Sequence, residues 1–271
     1  MQVIEAHGFK LPTVGLGTWQ LTGRGCSRLV QQAIALGYRH IDTAQMYGNE
    51  AAVGDGVRAS GKRNDVVVTT KVTPERLAPA DLIRSVKESL SKLRFDHIDL
   101  LLIHWPNPRV PLAESLGAMA KLKQDGFVKA IGVSNFTVAL LDEANKVTTE
   151  PLVCNQIECH PYLDQTKVIA ACEAYGMAVV AYSPIARGNA NGDRVLEHIG
   201  MVHGKSAAQI CLRFLVQQGI AVIPRTSKVE RLEENIALFD FALSELEVAQ
   251  IATLAKRQSR IVDWSWSPKW D

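Results

Sequence analysis

Four residues of this chain could together deliver a proton: Asp42, Tyr47, Lys71 and His104. A carbonyl under reduction needs a proton on its oxygen as hydride reaches its carbon. A tyrosine hydroxyl could give it, but its free pKa of about 10 is high for an acid working near neutrality. A neighbouring ammonium favours phenolate and lowers that value. Lys71 is the candidate ammonium, and Asp42 could hold and polarise it. His104 could donate a hydrogen bond to the carbonyl oxygen and orient it. Each unit of pKa shift corresponds to about 1.4 kcal/mol of differential stabilisation. Singly, these residues have ordinary explanations, since an Asp ending a strand is usually a helix cap and a lone Lys is usually solvated. The chemistry depends on a fold that brings them to one place.

Eight short apolar runs could do so: 14–18 (VGLGT), 38–42 (YRHID), 66–71 (VVVTTK), 98–104 (IDLLLIH), 130–135 (AIGVSN), 152–158 (LVCNQIE), 178–183 (AVVAYS) and 220–225 (IAVIPR). Most are rich in β-branched residues and lack period-2 alternation, as parallel strands covered on both faces do. Amphipathic stretches separate them, among them 27–37, 82–93, 112–126 and 206–219. Gly37, Gly126 and Gly219 are placed to close helices, and Asp81 to cap one. Eight such units predict one (β/α)8 TIM-barrel domain over residues 1–271, with the C-terminal segment over its mouth. An open doubly wound sheet is the alternative. It lacks its dinucleotide fingerprint, because Gly15-Leu16-Gly17 continues as Thr18-Trp19-Gln20.

Active sites of such barrels lie at the C-terminal strand ends. Those positions hold Gly17 and Trp19, Asp42, Lys71, His104, Ser134 and Asn135, Gln156, Tyr182 and Ser183, and Arg225. Asp42, Lys71 and His104 thus end three consecutive strands, and Tyr47 sits on the loop after Asp42. The interval before the eighth strand is the longest and leaves room for an extra helix or loop.

Composition narrows the alternatives. Charge is balanced at +2, with no basic block to suggest nucleic acid. No run of 18 apolar residues suggests a membrane span, and the N-terminus lacks the shape of a signal peptide. The five cysteines are widely spaced without a C-x-x-C, which reads as reduced, mostly buried thiols in a cytoplasmic protein. Cys159-His160 has no second pair at zinc-site spacing, so no metal is expected.

At these residues the sequence resembles the aldo-keto reductase family. Residues 37–54 (GYRHIDTAQMYGNEAAVG) are similar to the family's first signature, 129–136 (KAIGVSNF) to the second, and 223–235 (IPRTSKVERLEEN) to the third. Residues 155–162 (NQIECHPY) and His104-Trp105-Pro106 also fit, so the resemblance runs from about Val14 to Asn235. It implies an NADPH-using barrel reductase without metal, with Asp42, Tyr47, Lys71 and His104 as its catalytic tetrad. Gly17, Thr18 and Asp42 join the implied cofactor contacts. Ser134, Asn135 and Gln156 would hold the nicotinamide carboxamide, and Tyr182 would stack on that ring. Ser183, Pro184 and Ile185 would line the pyrophosphate path. Arg225, Thr226 and Arg231 would grip the 2′-phosphate, and Glu234 and Asn235 would meet adenine. Guanidinium forks and helix-start amides suit phosphate. Arg225 stands where many members carry Lys, which keeps the charge and changes the geometry.

Trp19, Tyr47, His104 and Trp105 are expected to form the substrate pocket, and Trp264, Trp266 and Trp270 could fold over it. Short loops and the ending Pro268-Lys269-Trp270-Asp271 most resemble bacterial 2,5-diketo-D-gluconate reductases, which also reduce methylglyoxal. The expected substrate is therefore a small carbonyl such as an α-dicarbonyl or keto-sugar acid, and by analogy the protein is a monomer. Two rivals are a non-catalytic NADPH-binding regulatory subunit of the same fold and a metal-dependent hydrolase using Asp42, His104 and His160. The intact tetrad argues against the first, and the lack of a His-x-His pair against the second.

Overall fold

A computed structural model describes residues 2–271. The chain begins with a hairpin that the sequence reading did not identify, β1 (Val3–Ala6) paired antiparallel with β2 (Phe9–Pro12). Its two-residue turn, His7-Gly8, has both residues at positive φ, as such hairpins require. Ala6 and Leu11 pack into the cluster that fills the barrel interior, so the hairpin closes part of that core.

Eight parallel strands follow: β3 (Leu16–Gly17), β4 (His40–Asp42), β5 (Val67–Val72), β6 (Ile98–Ile103), β7 (Val128–Ser134), β8 (Leu152–Glu158), β9 (Ala178–Tyr182) and β10 (Ala221–Val222). Each pairs with its chain neighbour. Parallel bridges from Val14 to Val222 and from Gly17 to Arg225 join the last strand to the first and close the ring. Every expected run overlaps one of these strands, with β5 running one residue past its expected end and β7 starting two residues before its expected start.

Absence of alternation in the sequence has a physical cause. Strand β6 sends Leu100 and Leu102 into the barrel and Leu101 and Ile103 against the helical layer, and all four are buried. Both faces need apolar side chains, so the pattern is continuous. Polar inward residues on neighbouring strands, such as Thr69 and Lys71, therefore stand out as exceptions.

The helices are α1 (Gly23–Ala35), α2 (Glu50–Ala59), α3 (Pro79–Leu93), α4 (Leu112–Gln124), α5 (Val138–Val147), α6 (Thr166–Ala174), α7 (Arg194–His203), α8 (Ala207–Gln217), α9 (Val229–Ile236) and α10 (Glu245–Ala252). Helix α7 occupies the long interval before the last strand. Gly37, Gly126 and Gly219 follow α1, α4 and α8 at positive φ, as expected of C-terminal caps. Asp81 does not cap α3. Pro79 opens that helix with its preset φ, and Asp81 lies in the first turn, ion-paired with Arg84. All five cysteines are buried. Among the described residues, no helix is long and apolar enough to cross a membrane.

Helix α2 carries the segment after Tyr47 and seats very closely on its neighbours. A Cβ at Gly54 would overlap the carbonyl oxygen of Leu93, and one at Gly56 would lie 2.5 Å from that of Ser27. Gly54→Ala should destabilise the protein by about 1–3 kcal/mol, the usual cost of overpacking, read as a lower urea midpoint. Gly117→Ala in α4, where a Cβ meets nothing within 4 Å, should cost nothing.

Candidate active site

Asp42 closes β4, and Lys71 lies on the adjacent β5, facing the same interior. The Lys71 ammonium donates to Asp42 Oδ1 at 2.6 Å, to the Thr43 carbonyl at 2.8 Å and to the Tyr47 hydroxyl at 3.4 Å. Those contacts use its three hydrogens. Lys71 is fully buried. The second oxygen of Asp42 accepts from Gln156 Nε2 at 2.8 Å. Gln156 comes from β8, four strands from β4 in a ring of eight, so this bond spans the barrel.

Tyr47 ends a short 3-10 turn, Gln45–Tyr47, and its loop is fastened on both sides. Thr43 Oγ1 donates to Asn49 Oδ1 at 2.6 Å, and Asn49 Nδ2 donates to the Thr18 and Leu21 carbonyls at 2.8 and 2.9 Å. Gln45 Nε2 donates to Ser85 and Ser89, and its Oε1 accepts from the Thr73 amide. Nothing in the sequence singles out Thr43, Gln45 and Asn49 as supports. They are ordinary polar residues whose partners lie tens of positions away.

Burial raises the Tyr47 pKa well above its usual 10, and the Asp42 carboxylate adds to the rise. From the sequence alone, Lys71 is expected to lower it. The difference arises because Asp42 sits against Lys71 and offsets its charge, while the phenol is dry. Burial also lowers the Lys71 pKa, and Asp42 opposes that shift. His104 meets the Tyr47 ring edge-on, with centroids 5.6 Å apart. Burial, with Lys71 second, holds its pKa well below 6.5, so the imidazole is neutral near pH 7.

A polar shelf lies beside these groups. Ser134 Oγ donates to the Gln156 carbonyl at 2.8 Å, Asn135 Nδ2 donates to the His104 carbonyl at 3.0 Å, and the Tyr182 hydroxyl donates to Asn135 Oδ1 at 2.8 Å. Asn135 adopts a left-handed φ of 63°, which its short amide tolerates.

A cavity of about 730 Å³ opens over this floor. Of the anticipated residues, Gly17, Thr18, Trp19, Asp42, Tyr47, His104, Trp105, Ser134, Asn135, Gln156, Tyr182, Ser183, Pro184, Ile185 and Arg225 line it. Lys71 lies beneath the floor. Thr226, Arg231, Glu234 and Asn235 lie outside the lining, on the turn into α9 and on that helix. There Arg231 pairs with Glu234, and Ser206 donates to the same carboxylate. Gln20, Met46, Arg187, Gly188, Ile223 and Val262 also line the cavity without having been anticipated. The Arg187 guanidinium lies 4.8 Å over the Trp19 ring.

The three tail tryptophans divide. Trp264 and Trp266 line the cavity, and Trp266 meets Trp105 edge-on at 5.0 Å. Trp270 packs behind Trp105, with centroids 6.0 Å apart, and bonds Asp263 through its indole nitrogen. The nitrogens of His160 are engaged by Glu158 at 2.9 Å and by the Tyr162 amide at 3.3 Å, so they are not free for a metal.

A closed eight-stranded ring with a buried Lys–Asp–Tyr cluster at its strand ends places the chain among barrel oxidoreductases. The model of the aldo/keto reductase family matches residues 13–256, and the chain belongs to that family. Methylglyoxal reductase DkgB of Escherichia coli O157:H7 is 39% identical over 265 residues, covering 96% of this chain and 99% of that protein. Glyoxal reductase of Bacillus subtilis (strain 168) is 38% identical over 252 residues, covering 92% and 91%. A crystal structure assigned to a 2,5-diketo-D-gluconic acid reductase B matches with a TM-score of 0.98 at 45% identity, covering 100% of this chain and 98% of that one.

Burial below the site has a consequence for stability. His40 is fully enclosed under Asp42, and its pKa is pushed down to about 4. Below pH 6.5 the unfolded chain takes up a proton that the folded one refuses, so stability falls as pH drops. Between pH 6.5 and 4 this residue alone should remove about 3 kcal/mol. Urea midpoints at pH 7 and pH 4.5 should fall less steeply in His40→Gln than in the unaltered protein. Equal slopes would contradict this origin.

Proposed function

We propose that this chain is an NADPH-dependent reductase of small aldehydes and ketones, with α-dicarbonyls such as methylglyoxal or 2,5-diketo-D-gluconate as the substrate class. The observation that carries the reading is the Lys71 contact to both Asp42 and the Tyr47 hydroxyl, at the floor of an aromatic-walled cavity.

The donor set fits the cofactor. Gln156 spends one amide hydrogen on Asp42 and keeps the other, and Ser134 keeps lone-pair capacity, as a carboxamide needs. Tyr182 offers a ring in the cavity wall, and Ser183, Pro184 and Ile185 continue that wall. Arg225 lines the same cavity and has no carboxylate partner among the described residues, and Thr226 on the turn before α9 with Arg231 on that helix would complete a phosphate grip. Glu234 and Asn235 would face adenine. When bound, NADPH supplies hydride to the carbonyl carbon.

Within that arrangement Tyr47 is the proton donor. Its raised pKa keeps the phenol protonated until charge develops on the substrate oxygen. The phenolate left behind sits beside the Lys71 ammonium, which stabilises it only after transfer, where stabilisation lowers the barrier. Asp42 and Thr43 keep that ammonium in place. His104 orients the carbonyl. Its Nδ1 is buried without a partner, so carrying the hydrogen on Nε2 leaves only a lone pair unmet. Trp19 and Trp105 exclude water from one side of the substrate. The intact tetrad favours an enzyme over a non-catalytic cofactor-binding subunit.

Tyr47→Phe should lower kcat by about 10²–10⁴-fold with methylglyoxal, the usual worth of a general acid, and leave NADPH affinity unchanged. A fully active variant would sink the proton-donor role. Separately, kcat/KM should favour NADPH over NADH, and Arg231→Ala should erode that ratio; an NADH preference in the unaltered protein would overturn the cofactor assignment.

A further inference from the structure

We infer that Glu158 is a positioning residue that sets substrate size selection by fastening the C-terminal tail to β8. This rests on the reductase reading above only for its kinetic consequence. Glu158 ends β8 with its carboxylate completely buried. Oε1 accepts from the Ile261 amide at 2.6 Å and from His160 Nε2 at 2.9 Å, and Oε2 accepts from the Val262 amide at 2.7 Å. A buried carboxylate is costly unless its lone pairs are met, and here two successive tail amides meet them. Burial pushes its pKa up, but the hydrogen bonds from His160 and then from the Ile261 and Val262 amides outweigh it and hold the carboxyl below its usual value. The same strand exit makes another tie, the Ser259 amide donating to the Tyr162 carbonyl at 2.9 Å.

The far end of the tail is also held. The Asp271 side chain accepts from the Val138 amide at 3.0 Å, in the first turn of α5, where a negative charge is favourable. The Arg260 guanidinium lies 3.8 Å over the Trp270 ring. Between the two ties lie Trp264 and Trp266, which together with Val262 of the near tie line the cavity. Backbone amides supply the near tie, so any residue types at 261 and 262 except proline could make it. The information lies in Glu158.

Position along β8 gives this contact its reach. Gln156, two residues earlier and on the same face, donates to Asp42. One strand therefore references both the catalytic carboxylate and the aromatic wall. Loosening the wall should affect ligands that extend to Trp264 and Trp266 and leave a three-carbon dicarbonyl nearly unaffected.

The test is Glu158→Gln, which puts an amide group where two amides now donate. Hydrogen exchange in residues 259–270 should accelerate at least ten-fold. KM for phenylglyoxal should rise at least five-fold, while kcat and KM for methylglyoxal and the Kd of NADPH stay within two- to three-fold. Equal KM shifts for both substrates, a matching loss of NADPH affinity, or unchanged tail exchange would overturn the inference. Should the variant not fold, the unaltered protein decides: the Ile261 and Val262 amides should be the slowest to exchange in the tail, and exchange as fast as at Trp264 would refute the anchor. Failure to reduce any carbonyl would defeat the reductase reading and leave the exchange result standing.

Discussion

The Lys71–Asp42 pair is the contact on which the site depends. Enclosing two charges in a protein interior costs several kcal/mol per ion, and the pair survives only if every polar atom around it is matched. Lys71 meets three oxygens, and Asp42 meets Lys71 on one oxygen and Gln156 on the other. Two of the donors come from β5 and β8. An open sheet would leave β8 three strands to one side of β5, far from β4. Closing the ring turns that distance into a diameter short enough for one glutamine side chain.

Burial chiefly sets the state of Tyr47, and the same pair adds to it. Beside an isolated ammonium a buried phenol would lose its proton readily. Beside an ammonium already paired with a carboxylate it holds the proton firmly. His104 is neutral for a related reason, being dry and close to Lys71. The floor of the cavity thus rests on one internally balanced ion pair and carries two neutral groups that can donate hydrogen bonds. Around this floor the walls are aromatic, and the tail supplies two of the rings. Polar chemistry is confined to a small area by apolar packing below, where Leu100, Leu102 and Val180 fill the barrel, and by tryptophans above.

Much of this was legible in the chain. Short runs, most of them rich in β-branched residues and without alternation, marked all eight strands, because strands buried on both faces have no need of polar alternation. Gly37, Gly126 and Gly219 marked helix ends, because left-handed φ excludes most side chains. Lys71 and His104 drew attention as polar residues at the ends of such runs. The short β1–β2 hairpin escaped notice because two four-residue strands carry little periodic signal. Asp81 misled because Pro79, two residues earlier, had already opened the helix.

What the sequence by itself determined is the identity and order of the groups: which residues can carry charge, donate protons or bind phosphate, and that they fall at strand ends. Local periodicity and turn chemistry are short-range and are written directly in neighbouring residues. What only the tertiary structure decided is their electrostatic state and their neighbours. The direction of the Tyr47 shift, the span from Gln156 to Asp42, the division of the three tail tryptophans and the grip of Glu158 on two backbone amides all arise from residues distant in sequence. Burial and pairing set those properties, and both are properties of the closed ring as a whole.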